Sequence, residues 1–357
     1  MKRIGNVSFQ ENGAAYIQNL ISEAVENGSR TCTVSGNWEI EETVRIPSDF
    51  TLVLDGCHLR MQDGAILNFF TNEHAGSKDP MAKDYDIIIE GRGRAILDGG
   101  EPNGLHERVI KNTPELYPGI THCGVNSPIL FDHVDGLRIS GLHIRNQRYW
   151  GVVFVFCCHG VVRDIEFRSN DIMIDENGQR VHGLSLKYYE NILVKNSDGI
   201  DLRTGCHDFI IENITGFTED DTVALTALWH GIEKAYYAEG DCLDIRNVII
   251  RNINSAALCS NVRLLCGDGV KLHDVLIDGV FDASRECRFM NAGVNTVKLG
   301  DTHNYSTSLA KYGDMFNIAV RNIHCAGNSK RSKPVNILSD IVNLTVENIY
   351  HTPEVQL

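Results

Sequence analysis

The chain has 357 residues, of which 43% are hydrophobic, and its 47 acidic and 33 basic side chains leave a formal net charge of -14. Such an acidic chain does not suit a phosphate backbone, and it shows no basic stripe interleaved with aromatic residues, so we expect no nucleic-acid partner. No segment is apolar over the length that a bilayer-spanning helix needs, and we expect no membrane partner.

The first residues, Met1 to Asn12, include two cations but no apolar run behind them, which does not fit a secretory signal. Eleven cysteines lie scattered through the chain without Cys-x-x-Cys spacing, which favours reduced thiols over a disulfide framework. These features predict a cytoplasmic protein. A chain that had lost a leader segment would instead be secreted.

One amphipathic helix is predicted near the start of the chain, over residues 13–27. Apolar residues recur there at helical spacing, and Gly28 is a plausible stop. The apolar positions are Ala14, Ile17, Leu20, Ile21 and Ala24. After this helix almost every predicted element is a short strand.

A short motif recurs along the rest of the chain. It has a polar residue or Gly, then alternating apolar positions, and often an Asn or Gly near its end. Nine copies begin at Asp86, Gly136, Gly160, Asn191, Asp208, Asn247, Asp274, Asn317 and Asn343. The closest copies are spaced by about 17 to 27 residues, and periods of this order indicate a solenoid.

The repeat predicts an all-β fold, a single-stranded right-handed parallel β-helix whose coils stack about 4.8 Å apart. We expect one domain over residues 1–357, with stacked coils over 30–350 and the helix capping the open N-terminal end. A leucine-rich repeat would show Leu at fixed positions and intervening helices, and neither is seen. A β-sandwich is the alternative, although Asn-Gly and Asp-Gly hairpins are scarce.

The main functional signal is a set of carboxylates about one repeat apart. Asp198 and Asp201 are followed by the pair Asp220 and Asp221, and the interval from Asp198 to Asp221 is close to one coil. Carboxylates held close together repel one another, so a fold that keeps them usually uses them. Each aspartate alone is also an ordinary turn residue, but the ordered set favours a site.

Several runs resemble the pectin-degrading β-helix enzymes, and in particular the polygalacturonases of glycoside hydrolase family 28. Residues 14–56 resemble the capping helix and first coils, which implies a pectate-lyase-like solenoid. The run from Ile89 to Gly100 is similar to the Gly-rich coil G-x-G-x-I-D-G of the polygalacturonases. The runs Ser127–Phe131 and Tyr149–Val152 follow in the family's order.

The most specific part of the resemblance is the acidic set itself. Asn196-Ser197-Asp198 resembles the family's Asn-Thr-Asp, and Asp220-Asp221 its Asp-Asp pair. The resemblance implies a cofactor-free glycosidase that inverts configuration, with its acid and base roughly 6.5–9.5 Å apart. Asp220 would be the general acid, with a pKa raised by its neighbours, and Asp198 with Asp221 would orient the attacking water. Asp201 would help to position the substrate.

Two departures from the family pattern concern the substrate. A short way after the Asp pair the family carries Gly-His-Gly, but the corresponding positions 239–244 contain no histidine, and His230 lies too early. The family's Arg-Ile-Lys appears as Arg263-Leu264-Leu265, which keeps the arginine and loses the lysine. A uronate would lose a contact worth about 1.5–3 kcal/mol, which favours a neutral or less charged sugar.

Four further residues are candidate substrate contacts. His182 and Lys187 belong to a long connection, and insertions on solenoids often lie on the binding face. His230 could reach the substrate from an altered loop, and Trp150 could stack on a sugar ring. Each also has an ordinary alternative, as a solvated loop residue or as part of the core.

Metal binding has little support in the sequence. No spaced set of His and Cys indicates zinc. The acidic cluster could hold Ca²⁺, which pectate lyases of the same fold use, and a lyase could then take Arg203 or Arg263 as its base.

The sequence therefore predicts an enzyme with an oligosaccharide substrate: an exo-acting glycosidase for pectin-related or neutral sugars. Two alternatives remain open, a polysaccharide lyase or sugar epimerase on the same fold, and a non-catalytic carbohydrate-binding β-helix. The sugar, its linkage and the oligomeric state do not follow from the sequence.

Overall fold

The computed structural model describes residues 2–101, 124–175, 177, 179–182, 197–284, 294–303, 305–326 and 332–351. The chain begins with an antiparallel pair, β1 (Lys2–Ile4) and β2 (Val7–Phe9), and continues with α1 (Gly13–Glu26). Two long parallel sheets follow, and the chain alternates between them.

The larger sheet has ten strands, which we call the outer sheet. In sheet order they are β3 (Thr31–Ile40), β5 (Phe50–Met61), β7 (Asp84–Asp98), β9 (Val134–Arg145), β11 (Cys158–Arg168), β15 (His207–Thr218), β17 (Ile245–Ala257), β19 (Leu272–Asp282), β21 (Met315–Cys325) and β23 (Val342–His351).

The second sheet has nine shorter strands, which we call the site sheet. They are β4 (Val44–Ile46), β6 (Phe70–Asn72), β8 (Ile129–Asp132), β10 (Val152–Val155), β14 (Ile200–Arg203), β16 (Val223–Ala227), β18 (Ser260–Cys266), β20 (Asn295–Leu299) and β22 (Lys333–Ile337). A small antiparallel pair, β12 (Ile172–Ile174) and β13 (Arg180–His182), and a second helix, α2 (Gly231–Tyr236), lie outside the two sheets.

The fold is a right-handed parallel β-helix, as the repeat predicted. Eight of the nine motif copies lie in the outer sheet, and the copy that begins at Asn191 falls outside the described residues. The Asn or Asp at the motif's start bends the chain with positive φ, for example 59° at Asp208 and 54° at Asn247. Asn247 Nδ2 donates to Asp208 Oδ1 at 2.9 Å, so the side chains of successive bends also join the coils.

The core lies between the two sheets and consists of apolar side chains stacked in columns. Val152, Ile200, Val223, Val262 and Val297 form one such column across five site-sheet strands, and each is fully buried. Because every coil repeats the same inward positions, the column continues the apolar interior from coil to coil.

The helix α1 covers the N-terminal end of this core. Ala14, Ile17, Ile21 and Ala24 are buried against the first coils. Gly28 adopts φ 76°, and Ser29 N donates to Ala24 O at 3.0 Å, which closes the helix in the way that a C-terminal glycine allows. The predicted stop is confirmed. Neither described helix is long and apolar enough to span a membrane.

One coil carries a large addition. The step along the chain from Ile200 to its neighbour Val223 is short, whereas the step from Val223 to its neighbour Val262 is much longer. The extra length lies between β16 and β17, where residues 228–244 leave the coil and form α2. We call residues 228–244 the insert.

Candidate active site

The outward face of the site sheet carries the candidate functional side chains. Side chains alternate along each strand, so Ile200 and Leu202 enter the core while Asp201 and Arg203 lie on the opposite face. The register then aligns Asp201 with Ala224, Arg263 and Lys298 of the next three strands. Residues far apart in sequence therefore share one row on this face.

The structure brings the predicted aspartates together. Asp198 and Asp221 each stand two residues before a paired position, Ile200 and Val223, so they are neighbours in successive coils. Asp221 N donates to Asp198 Oδ1 at 3.0 Å, and Gly199 N donates to Asp221 O at 2.9 Å. The backbone of one coil thus fixes the carboxyl group of the previous one.

Burial differs within the cluster. Asp198 and Asp221 are only 6% and 2% exposed, and Asp201 is fully buried, whereas Asp220 is half-buried. Oxygen atoms of Asp220 and Asp221 lie within 4.8 Å of one another and of the Cys259 sulfur. Asp220 is therefore the member of the cluster with the most access to a molecule bound at the surface.

Burial and mutual repulsion favour the protonated forms of two aspartates in the cluster. Burial raises the pKa of Asp198 well above its usual range, and the nearby charges of Asp201, Asp220 and Asp221 raise it further. Burial also raises the pKa of Asp201 to about 8, with the Arg203 guanidinium opposing the shift. At neutral pH the cluster holds protons that isolated aspartates would have lost.

A cationic group stands beside the aspartates on the C-terminal side. Arg263 Nη1 lies 3.5 Å from Asp221 Oδ2, and Arg263 Nη2 donates to Asp301 Oδ2 at 2.7 Å. Lys298 Nζ donates to the same Asp301 oxygen at 2.6 Å. The Arg263 guanidinium also lies over the Tyr305 ring, 4.9 Å from its centroid. Two cations therefore converge on one carboxylate oxygen next to the acidic cluster.

Lys298 supplies a cation beside Arg263 that the linear Arg-Ile-Lys motif does not contain. Leu265 does stand where the linear motif has its lysine, but Lys298 aligns directly with Arg263 on the next strand. The cation was missed because it belongs to the following coil, beyond the reach of any linear motif. The inference of a neutral sugar from Leu265 did not take this second cation into account.

Residues 239–244, which were compared with the family's Gly-His-Gly coil, do not lie beside the Asp pair. Residues 239–244 belong to the insert, outside the coil. Thr222 N donates to Ser260 O at 2.9 Å, so the segment that lies against the Asp pair in the next coil is Cys259-Ser260-Asn261. This segment has no histidine either, so Cys259-Ser260-Asn261 is the segment that differs from the family's Gly-His-Gly.

Arg203 joins the sheet to the insert. Its Nε and Nη2 atoms lie 2.8 and 2.7 Å from Glu233 Oε1, and Glu233 is fully buried. The guanidinium lies over the Trp150 ring at 4.5 Å from the centroid, and Arg203 Nη1 is 3.8 Å from Asp201 Oδ1. Sequence reasoning did not single out Glu233, because nothing in its local pattern marks a buried acid.

Apolar side chains cover the outward face on the N-terminal side of the aspartates. Leu130 and Val153 occupy the row of Asp201 on the two preceding strands, and both are buried although they lie outside the core. Ile232 of α2 packs over them within one apolar cluster. The other buried members of this cluster are Tyr149, Trp150, Val155 and Phe156.

Two more contacts hold the insert against the N-terminal coils. His133 places Nδ1 3.0 Å from Asp132 Oδ2 and Nε2 2.8 Å from Asp241 Oδ2. Burial lowers the pKa of His133, but the hydrogen bonds of the two carboxylates raise it overall. Lys78 Nζ donates to backbone carbonyls at the end of α2, among them Tyr237 O at 3.1 Å.

The remaining candidate contacts are placed differently. Trp150 is only 6% exposed and is packed against Arg203 and Tyr149, so its ring supports the cation instead of offering a platform to a sugar. His230 is exposed and precedes α2. His182 ends β13, where it pairs with Ile172 of β12. Lys187 lies outside the described residues.

No protein-family model matches the sequence, and no curated protein sequence matches it. Among solved structures, the polygalacturonase from Erwinia carotovora ssp. carotovora matches with a TM-score of 0.50 at 14% identity, covering 99% of this chain and 98% of that chain. The protein shares the β-helix fold of that enzyme.

Two other solved structures show the same fold. The hyperthermoactive exopolygalacturonase from Thermotoga maritima matches with a TM-score of 0.50 at 12% identity, over 94% of this chain and 72% of that chain. A tailspike protein double mutant of E. coli bacteriophage HK620 matches with a TM-score of 0.54 at 14% identity, over 99% of this chain and 61% of that chain. The likeness concerns the fold alone.

Proposed function

We propose that the protein is a glycoside hydrolase that cleaves a plant-type oligosaccharide with inversion of configuration. The observation that carries this proposal is the meeting of Asp198, Asp220 and Asp221 on one face of stacked coils. Inverting hydrolysis needs one carboxylic acid for the leaving oxygen and a carboxylate for the attacking water. A cluster that retains protons at neutral pH can supply both forms at once.

Asp220 is the proposed general acid, because it is the most accessible member of the cluster. It would give its proton to the glycosidic oxygen as the bond to the anomeric carbon breaks. Water would then add to that carbon from the opposite face and lose a proton to Asp221. Asp198, which keeps its own proton, would orient the water through a hydrogen bond. Oxygen atoms of Asp220 and Asp221 lie within 4.8 Å of one another, closer than the roughly 6.5–9.5 Å usual for inverting enzymes, so the anomeric configuration of the product is the decisive measurement.

Polar atoms beside the aspartates have bonding capacity for a bound sugar. Asp221 Oδ1, Asn261 Oδ1 and Arg263 Nε are buried and lack a hydrogen-bond partner among the described residues. Buried polar groups are normally satisfied, and exceptions need an explanation. A shift of these side chains on substrate binding would let sugar hydroxyl groups, or the attacking water, satisfy them.

We propose that the sugar carries a carboxylate, as the uronate units of pectin do. Arg263 and Lys298 occupy one row and converge on the same Asp301 oxygen. A sugar carboxylate could therefore bind to these two cations beside the aspartates. A charge-assisted contact of this kind is worth about 1.5–3 kcal/mol. This interpretation replaces the neutral sugar that Leu265 suggested.

The outward face of the site sheet is covered on the N-terminal side of the aspartates, and this supports exo action. A long polymer would have to cross the face where Ile232 packs over Leu130 and Val153, and that face is closed. A chain end could enter from the side of Arg263 and Lys298 and stop at the insert. We therefore propose release of short units from one end.

The hydrolysis itself is tested with defined oligogalacturonates and their carboxyl-reduced counterparts. Proton NMR of the first products should show inverted anomeric configuration, and new reducing ends should appear without an unsaturated product. Asp220→Asn should abolish turnover while the far-UV circular dichroism stays unchanged. Retention of configuration, or full activity of Asp220→Asn, would contradict the proposed mechanism.

Exo action is tested separately with an end-labelled oligomer. Monomer or dimer should accumulate from the first time points, without products of intermediate size. Ile232→Ala should loosen the insert and let intermediate products appear, whereas Met81→Ala, at a position that is 84% exposed, should not. Intermediate products from the unmodified protein would refute exo action but not the hydrolysis.

A lyase mechanism is disfavoured by the arginines that it would need as a base. Arg203 is bound to buried Glu233. Burial lowers the pKa of Arg263, but Asp221 and Tyr305 beside it raise that pKa well above the ordinary value. An arginine in either environment keeps its proton and cannot take one from a sugar carbon.

A further inference from the structure

A group of sulfur, nitrogen and oxygen donors lies at the turn from the site sheet to the outer sheet. Cys158, at the start of β11, pairs in register with Asp135 of the preceding coil and with His207 of the following coil. His159 directly follows Cys158, and Asp208 directly follows His207. Three successive coils thus place five potential metal ligands at one corner of the β-helix.

The donors are close enough to share one ion. Single ligand atoms of Asp135, Cys158 and His159 all lie within 4.8 Å of one another. His159 Nδ1 lies 2.5 Å from Asp135 Oδ1, and its Nε2 lies 3.8 Å from Asp208 Oδ2. The His159 and His207 ring centroids are 6.0 Å apart. The atoms of Asp135, Cys158 and His159 are thus near enough to share one ion, and the strand register places His207 beside them.

The bend at His159 does not itself require a histidine. His159 has φ 52° and occupies the same step of the coil as the other left-handed bends of the outer sheet. The equivalent residues of neighbouring coils are Gly136, Asp208 and Asn247. The fold accepts Gly, Asp or Asn at this step, so the imidazole is an addition that the backbone does not demand.

We propose that Asp135, Cys158 and His159, with His207 as fourth ligand, bind a thiophilic divalent metal ion of the Zn²⁺ class. A thiolate, two imidazoles and one carboxylate form a donor set that suits Zn²⁺ and excludes the hard ions Mg²⁺ and Ca²⁺. The thiol proton leaves to solvent when the ion binds. Asp208, which accepts from His207 Nδ1 at 2.6 Å, would fix the orientation of that ring.

The site would link three coils and add stability instead of chemistry. An ion that binds only the folded chain stabilises it, and the stabilisation grows with the logarithm of the ratio of the ion concentration to the dissociation constant. The site lies apart from the aspartate cluster and does not depend on the proposed hydrolysis.

The test uses the full chain, stripped of metal with a chelator and titrated with Co²⁺. We expect one equivalent to bind with a thiolate-to-cobalt charge-transfer band, Zn²⁺ to displace it, and Zn²⁺ to raise the melting temperature. Cys158→Ser should remove the band. His159→Asn, which installs a residue that the same bend carries in another coil, should weaken binding by about 10–100-fold.

Cys259→Ser is the matched control, because Cys259 is also grouped with two carboxylates, those of Asp220 and Asp221. It should leave the band and the affinity unchanged. The proposal is overturned if the unmodified protein shows no thiolate band. It is equally overturned if the band survives Cys158→Ser and disappears with Cys259→Ser, since the ion would then lie at the aspartates.

Discussion

The buried pair of Glu233 and Arg203 provides a sharp test of how the insert is held. We consider Glu233→Gln, which keeps the shape of the side chain and removes its charge. Arg203 would lose its charged partner at 2.7 and 2.8 Å while staying almost as buried, with its side chain only 9% exposed. Breaking a buried pair in this way costs about 3–5 kcal/mol.

The expected cost lies near the lower end of that range, at about 3 kcal/mol. Both Arg203 donors lie on Glu233 Oε1, and an amide oxygen in that place can still accept from them without its charge, while Arg203 retains Asp201 at 3.8 Å and the face of Trp150. The matched control is Glu212→Gln. Glu212 pairs with Arg251 at 2.6 Å, yet the Arg251 side chain is 49% exposed, so this loss should cost at most about 1 kcal/mol.

Urea denaturation followed by tryptophan fluorescence measures both costs. Two of the three tryptophans, Trp150 and Trp229, lie in or against the insert, so their emission reports its detachment even if the coils stay folded. The reasoning is refuted if Glu233→Gln shifts the free energy of unfolding by less than about 1 kcal/mol, or if Glu212→Gln costs as much as Glu233→Gln.

Three further predictions concern the site. Asp198→Ala removes the group proposed to orient the water and should lower kcat by about 10²-fold. Asp198→Asn resembles the protonated form of Asp198 and should keep most of the activity and the urea midpoint, and an unchanged kcat in Asp198→Ala would contradict the role of Asp198. Burial raises the pKa of Asp201 to about 8. Between about pH 4 and about pH 8 the native state therefore binds more protons than the unfolded chain. The free energy of unfolding should fall as the pH rises through this window. Asp201→Asn should flatten that dependence in denaturation curves taken at several pH values, and an unaltered slope would argue against the shift. Lys298→Met should raise KM about tenfold or more for a uronate oligomer and leave KM for its carboxyl-reduced form unchanged, whereas an equal change for both would show that Lys298 does not contact the carboxylate.

The fold was predictable because its signal is local and repeated. Each motif copy needs a residue that tolerates positive φ at the bend and apolar side chains at alternate positions after it, as at Asp208 and Asn247. Because this local pattern recurs nine times in the sequence, few folds other than a stack of equivalent coils can satisfy it. The capping helix was predictable for the same reason, from its spacing of apolar residues and its glycine stop at Gly28.

The meeting of the aspartates was predictable from spacing alone. The interval from Asp198 to Asp221 equals the interval between the paired residues Ile200 and Val223, so the two aspartates must stack. The same counting fails for the next coil, because the insert adds residues between Val223 and its neighbour Val262. Counting along the chain then pointed to residues 239–244, while the backbone placed Ser260 beside the Asp pair.

The sequence by itself determined the coil, the cap and the acidic centre, since these depend on local preferences and on a constant repeat. Only the tertiary structure decided which residues share a row across coils. It placed Lys298 beside Arg263, Glu233 against Arg203, and Cys158 between Asp135 and His207. The physical reason is that neighbours in a β-helix are set by the register between strands, and loops of unequal length hide that register from the linear sequence.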